Sequence, residues 1–122
     1  LTDNGTEFSY PETIEMSLKD PSRMLSNVFF CDPNCSWQKG AIEKNHEYIR
    51  YVLPKGTSFA GLAQEDCTLL ANNINSVPRG SLNNHSPYEA AKLFIGEKNM
   101  DRLNLRCVPP DQINLSIRLL KK

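Results

Sequence analysis

Residues 36–54, SWQKGAIEKNHEYIRYVLP, constrain the fold more than any other stretch, because they carry a start signal, a periodic body and a stop. Ser36 is placed to cap a helix, since its hydroxyl can accept from an orphan amide of the first turn. Pro54 ends the pattern, because the residue before a proline is driven out of the α region. At roughly 100° per residue, Ala41, Ile42, Tyr48, Ile49, Val52 and Leu53 fall on one broad side, which is the expected buried face. Lys39, Glu43, His46 and Arg50 fall in a narrow stripe on another side. One carboxylate among three potential cations is either a metal ligand beside a phosphate or a solvated face with a Lys39–Glu43 pair at i,i+4.

The chain has 122 residues, enough for one small domain or part of a larger one, and 39% of them are apolar. It opens on Leu1 inside what reads as a motif, so a fragment is expected. Fourteen basic and fourteen acidic residues cancel, which leaves nucleic acid neither favoured nor excluded by net charge. Acids lead mildly in the first fifty residues and bases in the remainder. Cys31, Cys35, Cys67 and Cys107 include one CxxxC spacing with no following Cys/His pair, so they read as reduced cytosolic thiols. A structural zinc module built on all four is a third, minor reading. No apolar run approaches the ~20 residues of a membrane span, and no signal peptide is visible.

In chain order, Asp3-Asn4-Gly5 is turn chemistry. An Asp before such a turn often ends a strand with its carboxylate in a cleft; the plain alternative is a surface turn. Residues 9–18, with Pro11, Glu12 and Glu15, read as a short helix. Residues 27–31, Asn-Val-Phe-Phe-Cys, read as a buried strand, broken by Asp32-Pro33-Asn34. Strand end, helix, strand, helix suggests an α/β layer arrangement. Residues 55–59 form a loop able to offer Lys55 to a phosphate, without the glycine spacing of a P-loop. A helix is expected over 63–77, with Ala63, Cys67, Leu70, Ile74 and Val77 as its core stripe. Ser86-Pro87-Tyr88-Glu89 is a capping box with proline at the first helical position, opening a helix to about Ile95. The remainder, 97–122, is a C-terminal extension of a domain spanning 1–96, and reads as irregular or as a short extension packing on the body.

Asp3 and Glu43 are the pair that can carry chemistry. A chain route of strand end, helix, strand, helix can return to the same sheet edge. Two carboxylates converging there can hold Mg²⁺ or Mn²⁺, and with a third they can hold two ions ~3.5–4 Å apart.

The motifs T-D-N-G-T-E-F at 2–8, F-C-D-P at 30–33, S-W-Q-K-G-A-I-E at 36–43, I-R at 49–50, P-K-G-T-S-F at 54–59, I-N-S-V-P-R at 74–79 and S-P-Y-E at 86–89 together resemble DDE transposases with a retroviral-integrase-type catalytic core. Among these, the chain is most similar to the bacterial insertion-sequence-thirty family. The resemblance runs over nearly the whole chain, and TDNG, WQKGxxE and PKGT at these separations are specific in combination.

The resemblance implies the C-terminal portion of an RNase H-like α/β fold, mostly helical as truncated, with the first strands missing. It implies a metal triad of two aspartates and a glutamate, whose second and third members map to Asp3 and Glu43. The first aspartate would lie on a strand before Leu1. Two divalent ions in the intact enzyme would serve hydrolysis at transposon ends and attack of the freed 3′-hydroxyl on target DNA. DNA, a homo-oligomer of the intact protein and a bacterial cytoplasmic, nucleoid-associated location follow from the same source, with no membrane. Asn4, Lys39, His46, Arg50 and Lys55 are the expected DNA contacts; Arg79 is another candidate. Asn4 has a second role open to it, bracing Asp3 or serving the turn. Trp37 is expected to be a packing anchor rather than a base-stacking platform. With one ligand short, the isolated chain is expected to be marginally stable and inactive. The competing reading is an inactive remnant that only binds DNA or oligomerises.

Overall fold

The computed structural model describes residues 1–120, the side chains of Ser36 and Ala41 excepted. It divides into two compact units, residues 1–43 and the remainder from Lys44. The described residues are mostly helical: α1 (Glu12–Glu15), α2 (Gly40–Val52), α3 (Gln64–Ser76), α4 (Pro87–Ile95) and α5 (Glu97–Arg102), with short 3₁₀ turns between them.

The first unit is built on extended chain. Thr2 and Phe30 form a parallel bridge, in which the Thr2 amide donates to the Phe29 carbonyl at 2.8 Å and the Cys31 amide to the Thr2 carbonyl at 2.7 Å. This is all that forms of the strand expected at 27–31. Cys31 is buried, but Phe29 and Phe30 are exposed. A parallel ladder needs further strands and cover on both faces before such residues are buried, and two extended segments supply neither. The helix expected over 9–18 shrinks to the single turn of α1. Pro11 sits at its cap position, and an antiparallel bridge, Met16 to Met24, takes over immediately afterwards.

Residues 36–39 wind as a 3₁₀ turn before α2 begins at Gly40. The cap position of that turn falls on Cys35, which makes no side-chain capping bond, while the capping role expected of the Ser36 hydroxyl lies outside the described residues. The cause is the preceding turn. Asn34 adopts φ 60°, and the Cys35 amide returns to the Asp32 carbonyl at 3.2 Å, so winding starts one residue early. Of the face expected to be buried, Val52 and Leu53 are buried and Tyr48 and Ile49 pack against them, whereas Ile42 is 40% exposed; the Ala41 side chain lies outside the described residues. Trp37 is 72% exposed, so it is not a packing anchor within its unit.

In the second unit the core is Val52, Leu53, Leu70 and Ile74, with Leu62, Leu115, Leu119 and Leu120 against it. Each fully buried aliphatic side chain contributes about 1.5–3 kcal/mol relative to exposure. On α3 the stripe holds at Leu70 and Ile74 and half-holds at Val77, while Ala63 and Cys67 are exposed. The N-terminal turn of α3 extends past the core. Ala63 is its cap residue and supplies no oxygen, although the Asp66 side chain accepts from the Ala63 amide at 3.0 Å.

The α4 start matches its pattern. Ser86 Oγ accepts from the Glu89 amide at 3.2 Å, Glu89 Oε2 accepts from the Ser86 amide at 2.7 Å, and Pro87 is the first helical residue. Gly96, at φ +75°, ends α4 and starts α5, a bend that only glycine adopts without strain. Helix α5 lies in the segment read as irregular or as a short packed extension, and it packs: its Met100 is 1% exposed. The chain beyond α5 is tied to α3 by side chains. Asn72 accepts from the Arg106 amide and donates to the Asn104 carbonyl, Ser76 Oγ accepts from the Val108 amide, and Asn73 accepts from the Asn114 amide. No helix among the described residues is long and apolar enough to cross a membrane.

Candidate functional site

In the first unit the Asp3-Asn4-Gly5 turn is locked by its own side chains. Asp3 Oδ1 accepts from the Gly5 amide at 3.2 Å, a local turn that mimics backbone bonding. Asn4 Nδ2 donates to the Cys31 carbonyl at 3.3 Å, tying the turn to the neighbouring extended segment. Asn4 thus braces the backbone rather than the Asp3 carboxylate. The second carboxylate oxygen, Oδ2, faces Lys39 Nζ at 3.4 Å. The Gly5 amide first, and then the Lys39 ammonium, hold the Asp3 carboxyl below the ordinary aspartate range. Lys39 therefore pairs with Asp3 and not with Glu43.

Glu43 stands exposed in the first turn of α2, where a negative charge complements the helix dipole. A contact that sequence reasoning missed fixes the approach to this helix. Gln38 Nε2 donates to Asp32 Oδ2 and the Asp32 amide donates to Gln38 Oε1, both at 2.9 Å. The clasp joins the F-C-D-P and S-W-Q-K motifs and anchors the residue beside Lys39. Its signal was present as two polar residues six apart across a Pro-Asn turn, but either one alone reads as solvent-facing.

Among the described residues no group of three or more His, Cys, Asp or Glu gathers as a metal site. The four cysteines are free thiols, Cys31 buried, Cys67 and Cys107 exposed.

In the second unit, His46, Arg50 and Lys55 line one open cleft of about 470 Å³, floored by Ile49, Leu53 and Phe59. Two come from α2 and the third from the turn after it. The Thr57 amide returns to the Pro54 carbonyl at 3.0 Å, and Gly56, at φ +89°, takes the position in that turn where a left-handed residue is needed. Arg79, the other basic candidate, is spent internally. Its guanidinium stacks 4.9 Å over the Tyr48 ring and donates to Asn45 Oδ1 at 2.9 Å, holding the 79–86 loop to α2.

No family model matches the chain, and no solved structure matches it. Curated relatives do. The chain is 42% identical over 62 residues to the transposase for insertion sequence element IS1086 of Cupriavidus metallidurans, covering 51% of this chain and 18% of that protein. It is 32% identical over 98 residues to the transposase for insertion sequence element IS4351 of Bacteroides fragilis, 80% of this chain and 28% of that protein. It is 39% identical over 62 residues to transposase InsI for insertion sequence element IS30A of Escherichia coli K12, 51% of this chain and 16% of that protein. The chain thus spans less than a third of the length of each of these relatives. Agreement with three such transposases, from three different bacteria, places the chain in the insertion-sequence-thirty family of transposases.

Proposed function

We propose that this chain is part of a DNA transposase, in which His46, Arg50 and Lys55 hold DNA phosphates and Asp3 and Glu43 hold a divalent cation. The observation that carries the reading is the convergence of His46, Arg50 and Lys55 on one cleft. Three cationic or protonatable groups over an apolar floor suit a phosphodiester backbone, whose contacts position the duplex without reading its sequence. Relatives named as transposases supply the substrate class.

The donor chemistry fits Mg²⁺ or Mn²⁺. Asp3 and Glu43 offer hard carboxylate oxygens, and the one Asp3 oxygen not held by the Gly5 amide already carries a cation, the Lys39 ammonium. When bound, such an ion activates an attacking oxygen or stabilises a leaving one. The chain's own residues do the rest. The Asn4 bond to Cys31 and the Gln38–Asp32 clasp hold the two acidic elements in place, and the basic cleft neutralises and orients phosphate. RNase H-like topology and a two-ion site belong to the intact protein in this reading, as do its oligomerisation and nucleoid location. With two carboxylates the chain alone binds one ion and does not transfer strands.

The test is double-stranded DNA binding by fluorescence anisotropy across a salt series. Arg50→Ala and Lys55→Ala should each lower the slope of log affinity against log salt by about 1. Unchanged slopes in both variants exclude the cleft as the DNA site. Strand transfer by the purified chain would refute the one-ion expectation.

A further inference from the structure

Lys39 holds the oxygen that a divalent ion would need. Asp3 Oδ1 accepts from the Gly5 amide, and the Lys39 ammonium stands 3.4 Å from the other carboxylate oxygen, Oδ2. The two side chains differ in setting: the Asp3 side chain is 62% exposed, and that of Lys39 only 22%. The carboxylate is open to solvent while the lysine arm lies against the protein. An ion therefore reaches Asp3 from the solvent side, where among the described residues the Lys39 ammonium is the cation paired with its carboxylate. The root of the arm is anchored, because the Gln38–Asp32 clasp fixes the neighbouring residue.

We propose that Lys39 is the resident counter-cation of Asp3, a positioning residue that competes with the divalent ion for Oδ2 and is displaced when the ion loads. This rests on the reading of Asp3 as a metal ligand. Removing the ammonium frees the site, so the variant should bind metal better than the native chain, the reverse of what loss of a supporting residue does. A carboxylate ligates the divalent ion at ~2.0–2.1 Å, closer than the lysine stands, with twice its charge. An excess of the ion therefore displaces a standing competitor. Lys39 can face a phosphate only once it has left Asp3, which makes metal loading and DNA contact by this residue one event.

Mn²⁺ titration followed by electron paramagnetic resonance of the free ion tests this on the full 122-residue chain. Lys39→Met and Lys39→Gln should each tighten Mn²⁺ binding about two- to fivefold, the range that an exposed ion pair converts to. Lys39→Arg should stay near native. Asp3→Asn should abolish the binding. Equal or weaker affinity in both Lys39→Met and Lys39→Gln, with Asp3→Asn still abolishing binding, overturns the competition while leaving Asp3 as a ligand. Undiminished binding in Asp3→Asn overturns both. A second readout does not depend on affinity: acylation of the Lys39 amine, measured by peptide mass spectrometry, should rise at least twofold when Mn²⁺ is added, and unchanged labelling overturns the displacement.

Discussion

The side-chain oxygen of Asn73 accepts a hydrogen bond from the backbone amide of Asn114 at 2.8 Å, across 41 positions of sequence. The same side chain donates to the Leu69 carbonyl at 2.9 Å, so a buried amide is satisfied at both ends. With Asn72 and Ser76 it replaces the strand partner that the extended C-terminal segment lacks. Asn73→Ala leaves the Asn114 amide without its acceptor and should cost about 1–3 kcal/mol. Urea denaturation measures the loss, and hydrogen exchange at Asn114 should speed up in parallel. Asn73→Asp keeps the acceptor and should protect that amide better than Ala does.

The α4 cap gives a pH signature. The Ser86 amide holds the Glu89 carboxyl below its ordinary value of 4.5, with smaller help from the Ser86 hydroxyl and His85. A carboxyl that stays ionised to lower pH in the folded chain than in the unfolded one stabilises the fold fully above that ordinary value. Its contribution fades as pH falls through the lower, folded value. Glu89→Gln should therefore flatten the pH dependence of stability below 4.5 and leave the neutral-pH slope alone, as read from thermal melts at stepped pH. Ser86→Ala should cost about 0.5–2 kcal/mol at neutral pH.

Two apolar substitutions should behave oppositely. Ile74→Ala opens space in the α2–α3 core and should cost about 2–5 kcal/mol. Phe94, 88% exposed on α4, should tolerate serine within about 0.5 kcal/mol. The comparison is made by urea midpoints under one buffer.

Arg79 and Arg50 together test the proposed division between structural and DNA-facing charge. Arg79→Lys loses the planar stack on Tyr48 and the aimed bond to Asn45, and should destabilise by about 1 kcal/mol. Its salt slope for DNA should stay native, unlike that of Arg50→Ala. A reduced slope in Arg79→Lys would mean that its guanidinium leaves Tyr48 to reach phosphate.

Legibility in the sequence followed the range of the interactions. The Ser86-Pro87-Tyr88-Glu89 start and the Pro54 stop were readable because each is decided within four residues. The α3 stripe was readable only where Leu70 and Ile74 meet α2. Apolar periodicity placed Ala63 and Cys67 in the core because it has no knowledge of where a partner helix ends. It also passed over Asn72, Asn73 and Ser76, which are buried as hydrogen-bonding groups and look polar to any pattern. Residues 27–31 have strand propensity, but a strand is a property of its neighbours, and Thr2 alone provides one rung. At the site, the sequence singled out His46, Arg50 and Lys55, which the fold gathers around one cleft. It paired Lys39 with Glu43, four residues away, when the turn at Asp3 stood closer in space.

That single rung has a consequence for handling the protein. A parallel pairing bonds a residue on one side and leaves the next residue's amide and carbonyl pointing outward. Phe30 sits at such a place with Phe29 bare beside it. An unguarded border of this kind is adhesive toward any other extended chain, a second molecule included. Light scattering should accordingly grow with concentration, and a lysine in place of Phe29 should suppress it, turning a sticky margin into a soluble one.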